Sequence, residues 1–168
     1  MHRFLYLTVF SIFLSFTTYA QILPERDRAA LVDKILEERF KRVLPDVMSR
    51  TGIDMWVLIT REYNEDPVVR TMLPATWLNA RRRTMLVFYW DEDRFKLEKL
   101  AVARYNIGEN ITSAWDKEKQ PDQWEALMQL IEERDPEKIA LNYSDNYGIA
   151  DGISKTDYEL FMKALPET

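Results

Sequence analysis

The sequence contains no cysteine and only one histidine, His2. Without cysteine there is no disulfide, no thiolate nucleophile and no thiolate metal ligand. His2 lies in a leader-like segment described below, so we expect the mature chain to have no imidazole. This excludes a Ser-His-Asp relay, a Cys-His relay and a histidine zinc site. A metal held only by carboxylates stays open, but it requires several Asp or Glu side chains that converge.

Glycine and positive charge are also scarce. The chain has four glycines, and Gly148 and Gly152 lack the close spacing of a phosphate-binding fingerprint. The formal net charge is -5 at pH 7, and basic residues cluster only at Arg81–Arg83. Because nucleic-acid binding needs a basic stripe or face, we predict no nucleic-acid partner.

Residues 1–20 have the pattern of a signal peptide. A basic start is followed by an apolar stretch, Phe4–Phe16, and small residues at Thr18 and Ala20 occupy the positions that a signal peptidase reads. The competing interpretation is an uncleaved anchor, but the stretch is shorter than the roughly 20 residues needed to span a bilayer. We therefore predict cleavage before Gln21, an exported periplasmic or secreted protein, and no membrane association after cleavage.

Residues 21–168 have the length of one folded domain, and the chain is 46% hydrophobic and 30% charged. The apolar runs Asp54–Thr60 and Thr84–Trp90 are typical of strands that are covered on both faces. Alternation at 95–98 predicts the second strand of a hairpin near a sheet edge, and a further strand is predicted at 138–142. The order of helices and strands predicts an α/β domain with a mixed β-sheet flanked by helices.

Apolar spacing predicts an amphipathic helix over residues 26–48, which Pro45 kinks or ends and after which Gly52 supplies the stop. Residues 105–120 are polar and irregular, and we assign them to a loop.

Three shorter helices follow from capping signals. Asp66, followed by Pro67, predicts a helix to about Met72. A second helix is predicted from Pro121-Asp122 to about 135, and a third over 155–165, with Thr156 as its cap in a capping box.

Several local strings are similar to the amino-terminal domain of exported M24 metallopeptidases, the creatinase, prolidase and Xaa-Pro aminopeptidase group. The strings are Gly52–Leu58, Arg61–Pro67, Leu73–Arg83, Ile139–Asn142 and Ala150–Ile153. The resemblance implies a ribonuclease-H-like α/β fold for 21–168. It also implies a second, pita-bread domain, absent from this sequence, in which two Asp, one His and two Glu hold two divalent metal ions.

The resemblance implies a supporting role for this chain, without catalytic or metal-binding residues of its own. Such a domain shapes the active-site entrance, contacts the amino-terminal side of a peptide substrate and forms a homodimer. The candidates for entrance or interface contacts are Tyr63, Asn64, Asp66, Trp77, Arg81 and Arg82.

Each candidate has a purely structural alternative. The arginines of the Arg81–Arg83 cluster could clamp a carboxylate, or they could form solvated pairs with nearby acids. Trp77 and Tyr63 could line a pocket, or they could belong to the core. Asp66 could act only as a helix cap.

The leading hypothesis is therefore the non-catalytic amino-terminal domain of an exported Xaa-Pro aminopeptidase or dipeptidase, with no cofactor in this chain. The alternative is a standalone periplasmic binding or interaction module without peptidase activity.

Overall fold

A computed structural model describes residues 22–165, so the expected signal peptide at 1–20 lies outside the described part. The helices are α1 (Glu25–Glu38), α2 (Leu44–Thr51), α3 (Pro67–Thr71), α4 (Gln123–Glu132) and α5 (Lys155–Ala164). The strands are β1 (Met55–Arg61), β2 (Arg83–Asp91), β3 (Lys96–Val102), β4 (Thr112–Ser113) and β5 (Ile139–Leu141).

The five strands form one mixed sheet in the order β4-β3-β2-β1-β5. β1 and β2 are antiparallel, as are β2 and β3, whereas β5 runs parallel to β1 and β4 runs parallel to β3. The predicted α/β class, with a mixed sheet flanked by helices, is confirmed.

Helices cover both faces of the sheet, which explains the unbroken apolar runs of the central strands. On one face, Leu58 and Phe88 pack with Leu36 of α1 and Met48 of α2. On the other face, alternate residues such as Val57 pack against α4 and α5. Because successive side chains of a strand point to opposite faces, the central positions 55–59 of β1 and 85–88 of β2 are apolar on both faces.

The helix predicted over residues 26–48 is interrupted just before Pro45, the residue that the sequence indicated as its kink or end. A π-helical turn, Arg39–Val43, separates α1 from α2, and Pro45 lies in the first turn of α2. Proline has no amide hydrogen and its ring displaces the carbonyl four residues earlier, so the preceding turn widens. The predicted stop at Gly52 is confirmed, because this residue caps α2 with a φ of 60°.

Two local predictions were wrong. The segment 105–120 is not only loop: it contains β4, and Ile107 and Ile111 form an isolated bridge and are buried. A two-residue strand is too short to produce an alternation that can be recognised in a sequence. The cap of α5 is Ser154 rather than Thr156, since the Ser154 hydroxyl accepts the amide hydrogen of Asp157.

No helix within residues 22–165 has both the length and the apolar character needed to cross a bilayer.

Candidate functional site

Several arginines of the chain lie together at one edge of the sheet. β1 ends at Arg61, and the antiparallel β2 begins at Arg83, directly opposite it. β3 ends at Val102 beside Met85, so Arg104 follows at the same edge. The order of the strands thus brings together arginines that are far apart in the sequence.

A cleft of about 460 Å³ opens at this edge. We name it the arginine cleft, and its principal lining residues are Trp77, Arg81, Arg82, Arg83, Arg104 and Trp115. A second depression shares Trp77 and Arg81 with it and extends toward Asn79. The volume lies within the range of roughly 300 to 1,000 Å³ that is typical of ligand sites.

The charge of the arginine cleft is largely uncompensated. Among residues 22–165, no carboxylate forms an ion pair with Arg81, Arg82 or Arg104. Glu62 is the one acidic residue in the described lining, and its Oε2 accepts the backbone N–H of Arg82 at 3.3 Å. Guanidinium groups offer planar forks of donors, so the cleft is suited to binding carboxylates or other oxyanions.

The wall of the cleft is fixed by a buried carboxylate, that of Asp157, whose side chain is 1% exposed. Its Oδ2 lies 2.6 Å from Arg61 Nε, and its Oδ1 lies 3.0 Å from Arg83 Nε. Ser154 Oγ also donates to Oδ2 at 2.9 Å. Arg83 in addition places its guanidinium 4.9 Å from the ring centre of Trp124. Arg83 is therefore held in place before any ligand arrives.

The pKa of Asp157 reflects two opposing effects. Burial works to raise this pKa, but hydrogen bonds from Arg61 and Ser154 and the positive charge of Arg83 outweigh burial and lower it. The hydrogen bond to Asp157 also raises the pKa of the Arg61 guanidinium. Asp157 is consequently an anion at neutral pH. The sequence offered no signal for it, because its partners lie 96 and 74 residues away.

Two non-glycine residues at this edge have left-handed backbone conformations. The φ angle of Tyr63 is 66° and that of Arg82 is 52°. The backbone N–H of Glu62 donates to the carbonyl of Arg82 at 2.5 Å, and this bond joins the turn after β1 to the segment just before β2. Such conformations cost about 1 kcal/mol or more each and are common at binding sites.

The structure divides the predicted candidates into two groups. Trp77, Arg81 and Arg82 line the arginine cleft, whereas Tyr63, Asn64 and Asp66 are not among its lining residues. The side chain of Tyr63 is 84% exposed at the turn after β1.

Asp66 has a structural position. Its Oδ1 accepts the N–H of Val69 at 2.8 Å and so caps α3, as predicted. Its Oδ2 accepts from Asn142 Nδ2 at 3.0 Å, and Asn142 in turn bonds the backbone of Ile59. Both oxygens are engaged inside the domain, which connects α3 to the parallel strands.

Glu65 is a buried carboxylate that sequence reasoning did not single out as a separate feature. Its Oε1 accepts the backbone N–H groups of Tyr63 and Ala80 at 3.1 and 2.7 Å. Its Oε2 is buried without a hydrogen-bond partner, and Arg70 lies 3.8 Å away. Glu65 therefore joins the loop after β1 to the segment before Arg81.

The described residues do not provide a metal centre. Within residues 22–165, no group of three or more His, Cys, Asp or Glu side chains could hold a metal ion. The two divalent ions that the resemblance implies would belong to the second domain, and residues 22–165 offer no donor set that fits them.

The fold and the site thus define an α/β domain with an arginine-lined cleft at one sheet edge. Comparisons of the chain with protein-family models, with curated proteins and with solved structures gave no match.

Proposed function

We propose that this chain is the non-catalytic amino-terminal domain of an exported M24 metallopeptidase of the Xaa-Pro aminopeptidase or dipeptidase type. In this role the domain has the ribonuclease-H-like fold, and the arginine cleft forms part of the substrate entrance. The peptide bond is cleaved by a metal-containing domain that is absent from this sequence.

The observation that carries the proposal is the position of two strings that resemble the family. Arg61–Pro67 and Leu73–Arg83 are consecutive strings in the sequence, and they meet where β1 ends and β2 begins, because Arg61 pairs with Arg83. Part of the second string lines an open, positively charged cleft. A domain that contacts a substrate without cleaving it needs such a cleft and does not need its own metal ligands.

The dimer in this proposal is supported by an apolar surface on the first two helices. Leu31, Val32, Ile35, Val43 and Val47 are 37–56% exposed. Exposed apolar groups of this kind mark interaction surfaces. Sedimentation velocity measures the assembly, and a monomer at every concentration would contradict this part.

The decisive experiment is to sequence the natural gene beyond codon 168. We expect the reading frame to continue into a domain that contains two Asp, one His and two Glu as metal ligands. A stop codon directly after Thr168 would contradict the proposal.

A second measurement concerns activity. The purified chain, supplied with manganese, cobalt or zinc, should not hydrolyse an Xaa-Pro peptide. Measurable turnover by a pure sample would refute the assignment of catalysis to another domain.

A standalone periplasmic binding module is the second candidate. The observation in its favour is the lining of the arginine cleft, which can bind a ligand without a metal ion. It combines Trp77 and Trp115 with three arginines that have no carboxylate partner among residues 22–165. A stop codon after Thr168 together with ligand binding by the chain would favour it.

A further inference from the structure

We propose that the arginine cleft binds a peptide segment that carries two neighbouring carboxylates. The inference rests on the proposed function, because it takes the ligand to be a peptide substrate. It adds the chemical class of that substrate.

The charge of the arginines at this edge of the sheet indicates that the ligand is an anion. Arg61 and Arg83 face each other on neighbouring strands, and the register of β2 with β3 brings Arg104 next in the same row. Like charges on opposite strands are destabilising unless an anion lies between them. Asp157 supplies that anion for Arg61 and Arg83, whereas Arg104 and the adjacent Arg81 have no carboxylate partner among the described residues.

The net charge of the arginine cleft indicates how many anionic groups the ligand carries. Arg81, Arg82 and Arg104 line the cleft, and Glu62 provides the single negative charge in its described lining. The three arginines and Glu62 together carry two net positive charges, so a single carboxylate would leave one of them unpaired. Two carboxylates on adjacent residues would give at least two guanidinium groups a bidentate partner.

The aromatic residues of the arginine cleft indicate the nature of the uncharged part of the ligand. Trp77 and Trp115 line the same cleft, and Tyr105, which is 65% exposed, lies at its border. Aromatic walls bury the apolar part of a ligand, so they favour an organic chain over a small inorganic anion. A nucleic acid fits poorly, because its phosphate backbone requires an extended basic surface and the chain has a net charge of -5.

Pre-organisation supports the same conclusion. Arg83 is held by Asp157 and Trp124, and Gln123 Nε2 donates to the carbonyls of Arg83 and Val102 at 3.1 and 2.7 Å. These contacts join the start of β2 to the end of β3. The side of the cleft formed by these strands is thus rigid in the unliganded domain, which lowers the entropic cost of binding.

The test is calorimetric titration of the purified protein with two blocked tetrapeptides, acetyl-Ala-Glu-Glu-Ala-amide and acetyl-Ala-Gln-Gln-Ala-amide. Free glutarate and inorganic phosphate serve as further probes, and tryptophan fluorescence gives a second signal because Trp77 and Trp115 line the cleft. We expect the Glu peptide to bind more tightly than the other three probes. Its affinity should fall as NaCl is raised, since the contacts are ionic.

Two variants and one matched control assign the binding to the cleft. Arg81→Gln and Arg104→Gln should each weaken binding of the Glu peptide by about tenfold or more, because hydrogen bonds to charged groups are strong. Arg50→Gln removes an exposed arginine that pairs with Asp46 on α2, and it should leave binding unchanged. Circular dichroism confirms that each variant is folded.

Three outcomes would overturn the inference. They are equal binding of the Gln peptide, binding of phosphate or glutarate as tight as that of the Glu peptide, and no effect of either arginine substitution. The salt dependence is measured on the unaltered protein, so the test remains valid if a variant does not fold. If the Glu peptide does not bind but the reading frame continues into the metal ligands, this inference is wrong and the proposed function stands. If the Glu peptide binds but a stop codon follows Thr168, the proposed function is wrong and the peptide specificity of the cleft stands.

Discussion

Replacement of the buried carboxylate in Asp157→Asn should destabilise the domain by about 3 kcal/mol, the lower end of the range for breaking a buried ion pair. The substitution keeps the shape of the side chain but removes its charge. Arg61 and Arg83 would then face each other without an anion between them. The lower end applies because their side chains are 43% and 25% exposed, so water can solvate part of the charge that is left.

The assay is urea unfolding followed by tryptophan fluorescence, in which the midpoint should fall while the slope stays unchanged. Asp46→Asn is the matched control, since Asp46 pairs with Arg50 at 3.6 Å and both side chains are 69% exposed. An exposed pair of this type contributes about 1 kcal/mol or less, so the control should unfold almost as the unaltered protein does.

The pH dependence gives an independent test of the same contact. Because the pKa of Asp157 is lowered in the folded state, its carboxylate stabilises the fold fully above the unfolded value of about 3.9. This contribution is lost as the pH falls through the lower, folded pKa. The difference in stability between the unaltered protein and Asp157→Asn should therefore be constant near neutral pH and shrink in acid below about pH 4. The explanation would be refuted if the free energies of unfolding of the unaltered protein and Asp157→Asn differed by less than about 1 kcal/mol at neutral pH, or if their difference did not change in acid.

Substitutions at Gly152 and at Glu65 test two further contacts inside the domain. In Gly152→Ala the new Cβ would lie 1.9 Å from Asp66 Oδ2, which is already bonded, so we expect a loss of about 1–3 kcal/mol in urea unfolding. Gly148→Ala meets no atom within 4 Å and should be close to neutral, and equal effects of the two alanines would contradict this explanation. Glu65→Gln keeps the acceptor for the N–H groups of Tyr63 and Ala80 but removes a buried charge, so stability should be unchanged or higher. Glu65→Ala loses both bonds and should cost about 2 kcal/mol, and a Gln variant as unstable as the Ala variant would show that the charge is needed.

Local patterns in the sequence predicted most of the individual elements. The apolar runs that became β1 and β2 were recognised because both faces of these strands are buried. The cap at Asp66 was recognised because a side-chain oxygen must accept the first free N–H groups of a helix, and the start of α4 was recognised at Pro121-Asp122. Such signals depend on neighbours within a few residues, and a single sequence contains them in full.

The remaining features depend on contacts between distant residues. Nothing in the segment 139–141 indicates that this strand crosses over to pair with β1 in parallel. Asp157 looks like any acid in the first turn of a helix, and only the sheet topology brings it to Arg61 and Arg83. Arg104 had no recognisable role for the same reason, since the pairing of β2 with β3 is what brings it beside Arg83 and into the cleft that Arg81 also lines.

The contrast between the paired and unpaired arginines is the strongest reason to regard this edge as a binding surface. The domain pairs both Arg61 and Arg83 with the carboxylate of Asp157, so its fold can supply a buried anion at this edge. Arg81, Arg82 and Arg104 border the same cleft without such an anion in the described residues, although acidic residues outnumber basic ones by 28 to 23 in the chain. Selection for stability alone would favour acidic or neutral residues at these positions, because unpaired like charges repel each other. An external anion that pairs with them accounts for the arrangement, and the acidic and neutral tetrapeptides distinguish this explanation from a merely solvated surface.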